Sequence, residues 1–330
     1  MPRELVLDLA RALREHVAPL LGAHSGRAAL PPGTGGDVTF AIDRDAEDFL
    51  ERYLAERAPD VAYYSEDQGL VLGKNSGISL AGNSGSSGGT ADGVVLLVDP
   101  IDGTRPALAG LESCCVSVAA AKLGDGRPTM GDVEVACVAE IKTGATFLAE
   151  RGKGIELTDG EGRTGVPALR SDGDVSSLFW TTGFRGRPAL PLVEVLEELI
   201  DLSSVGGGFF DLGSASFDLT RIITGQLDAY VDVGPRMIDT VPSLRKRFED
   251  VGGGAVLNNS PYDLAAAVLC VREAGGAVSD AYGKPLDRRL LLGSGHEYQM
   301  SCVAASHPKL HAEVFEVVER GIRRLSARHG

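Results

Sequence analysis

Two aspartates stand at the end of a short apolar run, in the sequence Val-Asp-Pro-Ile-Asp-Gly-Thr at residues 98–104. The carboxylates of Asp99 and Asp102 repel each other at close range unless a cation lies between them. Mg²⁺ suits such a place, because it binds one or two carboxylates together with water and phosphate oxygens. Gly103 lets the backbone approach a ligand closely, and Thr104 is a good N-cap for a helix whose free N–H groups attract anions. The segment therefore predicts a site for metal and phosphate.

This segment has two other interpretations. A turn of Asp and Gly with a capping Thr is common in proteins and needs no ligand. Some phosphatases instead use the first aspartate of an Asp-x-Asp pair to attack phosphorus covalently. In this chain two residues separate the aspartates and Pro100 follows the first one, which favours metal ligation over covalent attack. The segment alone does not decide between a structural turn and a metal site.

Three more carboxylates are candidates, and each has a structural alternative. Glu66 follows a predicted strand and is either a further metal ligand or an ordinary exposed loop residue. Asp263 begins a predicted helix, where it is either a metal ligand or an aspartate that the helix dipole favours. Asp43 is either the N-cap of another predicted helix or a hydrogen-bond partner for the Thr104 hydroxyl. These three side chains are the ones that could complete a site at residues 98–104, and the residues alone leave each alternative open.

The elements that must position these side chains follow from the hydrophobic periodicity. The apolar run at 94–98 predicts a strand that is buried on both faces. Further strands are predicted at 61–64, 115–123, 133–140, 145–149, 177–182, 207–210, 228–233, 276–280 and 301–305. Helices are predicted at 3–22, 43–57, 191–201, 214–225, 262–275 and 308–327, with another beginning near Thr104.

A polar, glycine-rich stretch at 158–174 is the best boundary in the chain. It predicts an N-terminal α+β subdomain, residues 1–165, with an antiparallel sheet and most of the metal ligands. A C-terminal α/β subdomain, residues 166–330, would carry Asp263 and the substrate pocket. The low-complexity stretch at 73–93 is predicted to be a mobile loop.

The composition describes a globular, acidic protein. The 330 residues are 43% hydrophobic and carry a formal net charge of −14. Such a surface repels nucleic acid and acidic membranes, so neither is an expected partner, and it repels phosphate esters unless a bound divalent metal supplies positive charge. No apolar stretch is long enough to span a bilayer and no secretory signal pattern is visible, so we expect a cytoplasmic protein. The five cysteines, which include no Cys-x-x-Cys pair, are expected to be buried and reduced.

The order of these motifs resembles the inositol monophosphatase family, which belongs to the metal-dependent, lithium-sensitive phosphatase superfamily that includes fructose-1,6-bisphosphatases. The resemblance extends over residues 37–285. The matching segments are the first family signature at 98–104, the second at 263–276, the upstream acidic motif at 65–67, and the pair 213–215 and 225–231. The resemblance implies an α/β fold, a layered αβαβα sandwich of the sugar-phosphatase type, and commonly a homodimer.

The resemblance also implies Mg²⁺ as the cofactor, with two or three ions in each site. One ion would lie on Glu66, Asp99 and the carbonyl oxygen of Ile101. A second ion would lie on Asp99, Asp102 and Asp263, and a third, weaker one near Glu66. Bound metal lowers the pKa of water and so generates a nucleophile.

The remaining roles that the resemblance implies concern the attacking water and the phosphate. Thr104, hydrogen-bonded to Asp43, would orient the water and help to deprotonate it. The N–H groups of Gly103 and Thr104 would bind phosphate oxygens. The water would attack phosphorus directly, and no covalent phosphoenzyme is expected.

Candidates for substrate contacts are weaker and have structural alternatives. They are Gly213, Ser214, Ala215, Arg105 and Arg185. The first three open a predicted helix and either bind substrate hydroxyls or serve close packing. The two arginines, and Arg187 with them, either reach a second phosphate or a nucleotide or are solvated at the surface.

Departures from the family pattern surround the leaving-group pocket. Arg105-Pro106-Ala107 stands where the family usually has a small polar residue, Asn and Phe, and Tyr262 replaces a usual Trp. The stretch 257–260 lacks the acidic substrate-binding residue expected before Asp263, and 234–260 is longer than is usual. The metal ligands are unchanged, so the sequence predicts the reaction and leaves the substrate open.

The leading hypothesis is a Mg²⁺-dependent phosphomonoesterase for a small sugar, inositol or related phosphate. The alternatives are a 3′-phosphonucleotide, fructose-1,6-bisphosphate or histidinol-phosphate phosphatase in a specialised biosynthetic pathway. A catalytically silent binding homologue is a hypothesis of a different class, and the complete set of metal ligands counts against it.

Overall fold

A computed structural model describes residues 2–30, 38–74, 93–124 and 126–329 of the chain. The predicted loop at 73–93 lies almost entirely outside the described residues.

The strand that carries the two aspartates lies inside a large mixed sheet. In the described residues this sheet consists of β1 (Ala62–Ser65), β2 (Gly69–Val71), β3 (Val94–Asp102), β4 (Cys115–Lys122), β5 (Val133–Glu140), β6 (Thr146–Glu150), β7 (Gly154–Thr158) and β8 (Thr164–Gly165). The order is β2-β1-β3-β4-β5-β6-β7-β8, and all neighbours are antiparallel except β1 and β3. β3 is buried along almost its whole length, as predicted. It reaches Asp102, so both aspartates lie on the strand itself and not in a turn that follows it.

A second sheet is built from the C-terminal part of the chain. Its strands in the described ranges are β9 (Phe179–Thr182), β10 (Gly208–Phe210), β11 (Ala229–Asp232), β12 (Ala277–Ser279) and β13 (Cys302–Ala305). The order is β10-β9-β11-β13-β12. β10, β9 and β11 are parallel, and β13 is antiparallel to both of its neighbours.

Helices cover and separate the two sheets. The described helices are α1 (Pro2–Val17), α2 (Ala41–Arg57), α3 (Thr104–Ala109), α4 (Ala189–Ser203), α5 (Ala215–Ile223), α6 (Gly234–Thr240), α7 (Arg245–Val251), α8 (Pro261–Glu273) and α9 (Pro308–His329). α1 and α2 pack on one face of the first sheet, and α5 and α8 lie between the sheets. α4 and α9 cover the outer face of the second sheet. The predicted αβαβα layering is confirmed.

The middle layer joins the two halves of the chain. α8 carries three consecutive alanines, 265–267, and small side chains let a helix approach a sheet closely. All three are buried in one core with residues of β3, β4 and β5. Arg221 of α5 forms an ion pair with Glu140 of β5. The first sheet thus buries one face against helices from the other half, and the division at residue 165 stays a prediction.

Several local predictions change in the structure. α2 begins at Ala41 with Phe40 as its N-cap, so Asp43 occupies the third helical position and is not the cap. The long segment 234–260 forms α6 and α7, which the periodicity did not indicate because both are short. The five cysteines are free and buried, as predicted. None of the described helices is long and apolar enough to cross a membrane.

The contact between α4 and α9 depends on a glycine. A Cβ atom on Gly321 would lie 1.9 Å from the carbonyl oxygen of Val195. Gly321→Ala should lower the free energy of unfolding by about 1–3 kcal/mol, because this clash with a backbone atom outweighs the higher helix propensity of alanine. Urea denaturation measures the change. Gly124→Ala is the matched control, since no described atom lies within 4 Å of a Cβ there, and an equal loss in both variants would contradict the packing argument.

Candidate active site

Two buried carboxyl groups and a half-buried one meet where the first sheet faces α8. Asp99 and Asp102 come from β3, and Asp263 comes from the first turn of α8. Each contributes one carboxylate oxygen to a cluster whose atoms all lie within 4.8 Å of one another. The structure therefore brings together the three aspartates that the sequence proposed as shared metal ligands.

Backbone N–H groups fix the two aspartates of β3. The pairing of β3 with β4 shifts register between Asp99 and Asp102, and this irregularity lets both side chains face the cluster. The N–H of Ile101 donates to Asp99 Oδ1 at 3.0 Å. The N–H of Ser216, at the start of α5, donates to Asp102 Oδ2 at 2.6 Å. Each carboxylate thus keeps an oxygen atom available for a ligand.

The capping and ligand interpretations of Asp263 are compatible. The N–H of Ser260 donates to Asp263 Oδ2 at 2.6 Å, in a capping box at the start of α8. The other oxygen remains available to the cluster. Ser216 Oγ donates to the carbonyl oxygen of Asp263 at 2.7 Å and ties α5 to α8. Ser216 belongs to the helix start of small residues that the sequence indicated, but its N–H donates to Asp102, a role that was not predicted.

The carboxyl groups of the cluster have raised pKa values, so they ionise less readily than exposed carboxyl groups. Burial is the largest cause, and it raises the pKa of Asp102 to about 6 and that of Asp263 to about 7. The pKa of Asp99 lies well above its ordinary value because of burial and the charges of Asp102 and Glu66. Burial and the charge of Asp263 raise the pKa of Glu66 in the same way. Glu66 is half-buried beside the cluster and is not the exposed loop residue of the alternative interpretation.

A cation fits this donor set. The positive charges of Arg185 and Arg187 act on Asp263, yet burial and the charge of Asp102 still raise its pKa to about 7. Carboxylates whose charge is not fully compensated are costly to bury, and oxygen ligands of this kind suit hard divalent cations. The residues therefore fit a divalent metal ion.

The hydrogen bond expected between Thr104 and Asp43 is present. Thr104 Oγ1 lies 2.9 Å from Asp43 Oδ1 and 3.3 Å from the carbonyl oxygen of Ile101. The N–H of Phe40 holds the other carboxylate oxygen, Asp43 Oδ2, at 2.8 Å. Burial raises the pKa of Asp43 to about 6. The Asp43 carboxylate thus accepts one hydrogen bond from the start of α2 and another from the Thr104 hydroxyl, and it fixes the two relative to each other.

Gly103 provides the tight connection between β3 and α3. It is the N-cap of α3, so the expectation that Thr104 is the cap was wrong, and Thr104 is the first helical residue. Gly103 has a φ of +89°, which favours glycine. A Cβ atom here would lie 2.6 Å from the carbonyl oxygen of Ser113 and 2.9 Å from the Cβ of Ser214. The absence of a side chain lets the start of α3 lie against the start of α5.

A cavity of about 110 Å³ opens beside the carboxylates. Its lining includes Glu66, Asp102 and Asp263 at one end and residues 213–215, Arg185, Arg187 and 256–260 elsewhere. Four of the five proposed substrate contacts, all except Arg105, therefore line one space. Arg105 is exposed, and its guanidinium lies 5.4 Å from the centre of the Phe40 ring.

The interpretation of Arg187 as a solvated surface residue was wrong. Arg187 is 7% exposed and forms an ion pair with Asp232, which is fully buried at the end of β11. Asp232 also accepts hydrogen bonds from the N–H of Gly234 at 2.9 Å and from Asn259 Nδ2 at 2.7 Å. Asp232 thus neutralises Arg187 from within the protein. Its position at the end of a predicted strand, like that of Asp99, could have indicated this residue.

Comparisons with known proteins point to one family. A family profile described as "Inositol monophosphatase family" matches residues 4–323. The chain is 26% identical over 317 residues to the fructose-1,6-bisphosphatase/inositol-1-monophosphatase of Methanothermobacter thermautotrophicus, covering 96% of this chain and 95% of the relative. It is 25% identical over 284 residues to the Nus factor SuhB of Pasteurella multocida, covering 86% and 83%. Among solved structures, the IMPase of Thermotoga maritima has the same fold, with a TM-score of 0.65, 18% identity and 98% of both chains covered.

Removing one charge from the cluster should stabilise the metal-free protein. The raised pKa of Asp99 means that the folded state favours its neutral form, so stability falls as pH rises through that pKa. Asp99→Asn should therefore raise the unfolding temperature at pH 8, by about 2–4 °C for each kcal/mol of repulsion relieved. The difference should shrink towards pH 4, where the wild-type carboxyl groups are protonated.

Thermal unfolding in a chelator, with and without added Mg²⁺, tests this expectation. Mg²⁺ should stabilise the wild-type protein more than Asp99→Asn, because binding to the folded state raises its stability. Asp201→Asn, which removes a charge from the exposed face of α4, is the control and should behave like the wild type. A wild-type protein that is indifferent to every divalent cation would contradict the metal assignment.

Proposed function

The chain belongs to the inositol monophosphatase family, and from this premise we propose that it is a Mg²⁺-dependent phosphomonoesterase for a small sugar, inositol or related phosphate. The observation that supports the proposal most directly is the cluster of Asp99, Asp102 and Asp263 within 4.8 Å. The Thr104–Asp43 hydrogen bond lies at the end of the same strand. This arrangement supports phosphate hydrolysis by a metal-bound water.

Five residues would hold the metal ions. They are Glu66, Asp99, Ile101 through its carbonyl oxygen, Asp102 and Asp263. Two or three Mg²⁺ ions would share them. Bound Mg²⁺ supplies the positive charge that acidifies water and neutralises the charge that develops on the phosphate.

The chain's own part in proton transfer lies at Thr104. Its hydroxyl hydrogen points to Asp43 Oδ1, so the oxygen lone pairs face away from that carboxylate and are free to accept a hydrogen bond from water. A proton taken up at Thr104 Oγ1 can be matched by release of the hydroxyl proton to Asp43. The raised pKa of Asp43, about 6, makes this carboxylate a better base than an exposed aspartate.

Phosphate and alcohol would occupy neighbouring positions. The N–H of Thr104 lies in the first turn of α3, where a helix has no internal acceptor for it, so it and the N–H of Gly103 are suited to phosphate oxygens. The alcohol would lie in the cavity past Asp102, against residues 213–215 and Arg185. The substrate alternatives, from fructose 1,6-bisphosphate to a 3′-phosphonucleotide, differ in what this cavity must accommodate.

The complete ligand set supports an enzyme over a silent binding homologue. A silent homologue has no need to retain buried, mutually repelling carboxylates, since each costs stability. The relative from Methanothermobacter thermautotrophicus is named for activity on both fructose bisphosphate and inositol phosphate. Lithium sensitivity and a homodimer remain predictions.

Asp102→Asn should abolish Mg²⁺-dependent phosphate release while the protein remains folded. Asparagine can still accept the Ser216 N–H bond but removes the charge that a metal ion needs. A phosphate-release screen measures this with inositol, fructose, histidinol and nucleotide phosphates, with and without Li⁺. Asp201→Asn is the control with the same charge change, and full activity in Asp102→Asn would refute the proposed site.

Thr104→Ala should lower kcat by about 10²–10³-fold, in the range typical of a lost proton-transfer group. The Mg²⁺ concentration that gives half-maximal activity should change little, because the hydroxyl is not a proposed metal ligand. Thr104→Ser keeps the hydroxyl and should restore most of the rate. Steady-state kinetics at several Mg²⁺ concentrations distinguishes these effects, and an alanine variant as fast as the serine variant would remove the role of Thr104.

A further inference from the structure

Glu66, a proposed metal ligand, lies in the turn of a hairpin at the edge of the first sheet. β1 and β2 are antiparallel neighbours with Ser65 paired to Gly69, so residues 66–68 form a three-residue turn between them. β2 is the outermost strand in the described part of this sheet. Loops are more mobile than the strands they connect, and a functional group has to be held to within about 0.5 Å. The position of Glu66 therefore depends on contacts that reach the turn from another element.

Those contacts come from a buried glutamate on α2. Glu47 is 3% exposed. Ser65 Oγ donates a hydrogen bond to Glu47 Oε2 at 2.9 Å, and the N–H of Asp67 donates to Glu47 Oε1 at 3.3 Å. The two oxygens of one carboxylate thus hold the residues immediately before and after Glu66. They fix the stretch of backbone from which the Glu66 side chain projects.

Other hydrogen bonds tie the same turn to α2 and to the segment before it. Gln68 Nε2 donates to the backbone carbonyl oxygen of Glu47 at 3.4 Å. Thr39 Oγ1 donates to Asp67 Oδ1 at 2.8 Å. Asp67 and Gln68 are therefore both anchored by their side chains, which further restricts the turn that carries Glu66.

α2 is suited to position the turn because it is itself fixed to the strand of the two aspartates. Ala46 of α2 is buried in one core with Val98 of β3. Asp43 lies one helical turn before Glu47, on the same side of α2, and accepts the hydrogen bond from Thr104. One face of α2 thus connects the hydroxyl at the end of β3 with the turn that carries the metal ligand.

Packing alone does not explain a carboxylate at this position of α2. A buried carboxylate is costly, and the hydrogen bonds that Glu47 accepts compensate only part of that cost. Burial raises the pKa of Glu47 to about 7, and the charges of Asp67 and Asp43 add to the rise. An apolar side chain beside Ala46 would fill the space without this cost. The benefit of the carboxylate lies in the two hydrogen bonds to the turn.

We propose that Glu47 is a positioning residue: by holding the residues on both sides of Glu66, it keeps that carboxylate where a metal ion binds. The inference rests on the proposed phosphatase function and its metal site. It gives α2 two roles, since Asp43 orders Thr104 and Glu47 orders the turn at 66–68.

Metal titration without substrate tests the inference. Mn²⁺ is the probe, because it takes the same oxygen ligands as Mg²⁺ and electron paramagnetic resonance measures its free concentration. Glu47→Gln keeps the size of the side chain but replaces one acceptor oxygen by an NH₂ group, so it cannot accept both hydrogen bonds. The affinity for the ion that Glu66 holds should fall by about ten- to a hundredfold, as is typical when a hydrogen bond behind a metal ligand is lost. The ion on Asp99, Asp102 and Asp263 should keep its affinity.

Two further variants accompany this measurement. Glu51→Gln is the matched control, because it makes the same change at an exposed position of α2, and it should leave every Mn²⁺ affinity unchanged. Ser65→Ala removes one of the two hydrogen bonds and should give a smaller loss of the same kind. It also provides the test if thermal unfolding in a chelator shows that Glu47→Gln does not fold.

A double-mutant cycle separates positioning from general support of the fold. Glu66→Gln removes the ligand itself, so adding Glu47→Gln to it should weaken Mn²⁺ binding by no more than about twofold further. With Glu66 intact, kcat of Glu47→Gln at saturating Mg²⁺ should return to within about threefold of the wild-type value, because the change lowers metal occupancy and leaves Thr104 and Asp43 in place.

The outcomes separate this inference from the proposed function. Unchanged Mn²⁺ affinities in Glu47→Gln and Ser65→Ala would overturn the inference and leave the metal site intact. Losses that add in the double variant would also overturn it, since they would show that Glu47 supports the fold and does not act through Glu66. A wild-type protein that binds no Mn²⁺ and releases no phosphate with Mg²⁺ would overturn the proposed function, and the inference with it.

Discussion

Three carboxyl groups within 4.8 Å of one another, two of them buried and the third half-buried, repel each other in the absence of a cation. Burial raises the pKa values of Asp102 and Asp263 to about 6 and 7, and the charge of Asp102 adds to the rise at Asp263. Such an arrangement lowers stability, so the surrounding layers have to hold it in place. Two aspartates lie on β3, inside the first sheet, and the third is held at the start of α8 by its capping box.

The middle layer provides most of that support. α5 and α8 lie between the sheets, and Ser216 connects them by donating its N–H to Asp102 and its hydroxyl to the carbonyl of Asp263. Gly103 allows the start of α3 to lie against the start of α5. At the starts of α5 and α8, the backbone N–H groups of Ser216 and Ser260 orient Asp102 and Asp263 without neutralising their charge.

The sequence indicated those parts of the site that depend on local pattern. The apolar run at 94–98 was sufficient to predict the buried strand, and the resemblance to a family identified Glu66, Asp43 and Asp263 as its companions. Thr104 was misplaced as an N-cap because Thr and Gly both favour that position, and the choice depends on the backbone conformation of Gly103. The helices α6 and α7 were missed because seven residues give too short a periodic pattern.

The opposite end of the cavity depends on contacts that no local pattern reveals. Arg187 is buried only because Asp232, 45 residues away in the chain, neutralises it, and without that partner an arginine is expected at the surface. The amide of Asn258, which also lines this end, donates to Gln299, 41 residues away in the chain. The carboxylate end depends on hydrogen bonds between residues near in sequence, such as Ile101 with Asp99 and Ser260 with Asp263. The opposite end depends on pairs that are distant in the chain, which is why the sequence indicated the carboxylate cluster more completely than the rest of the cavity.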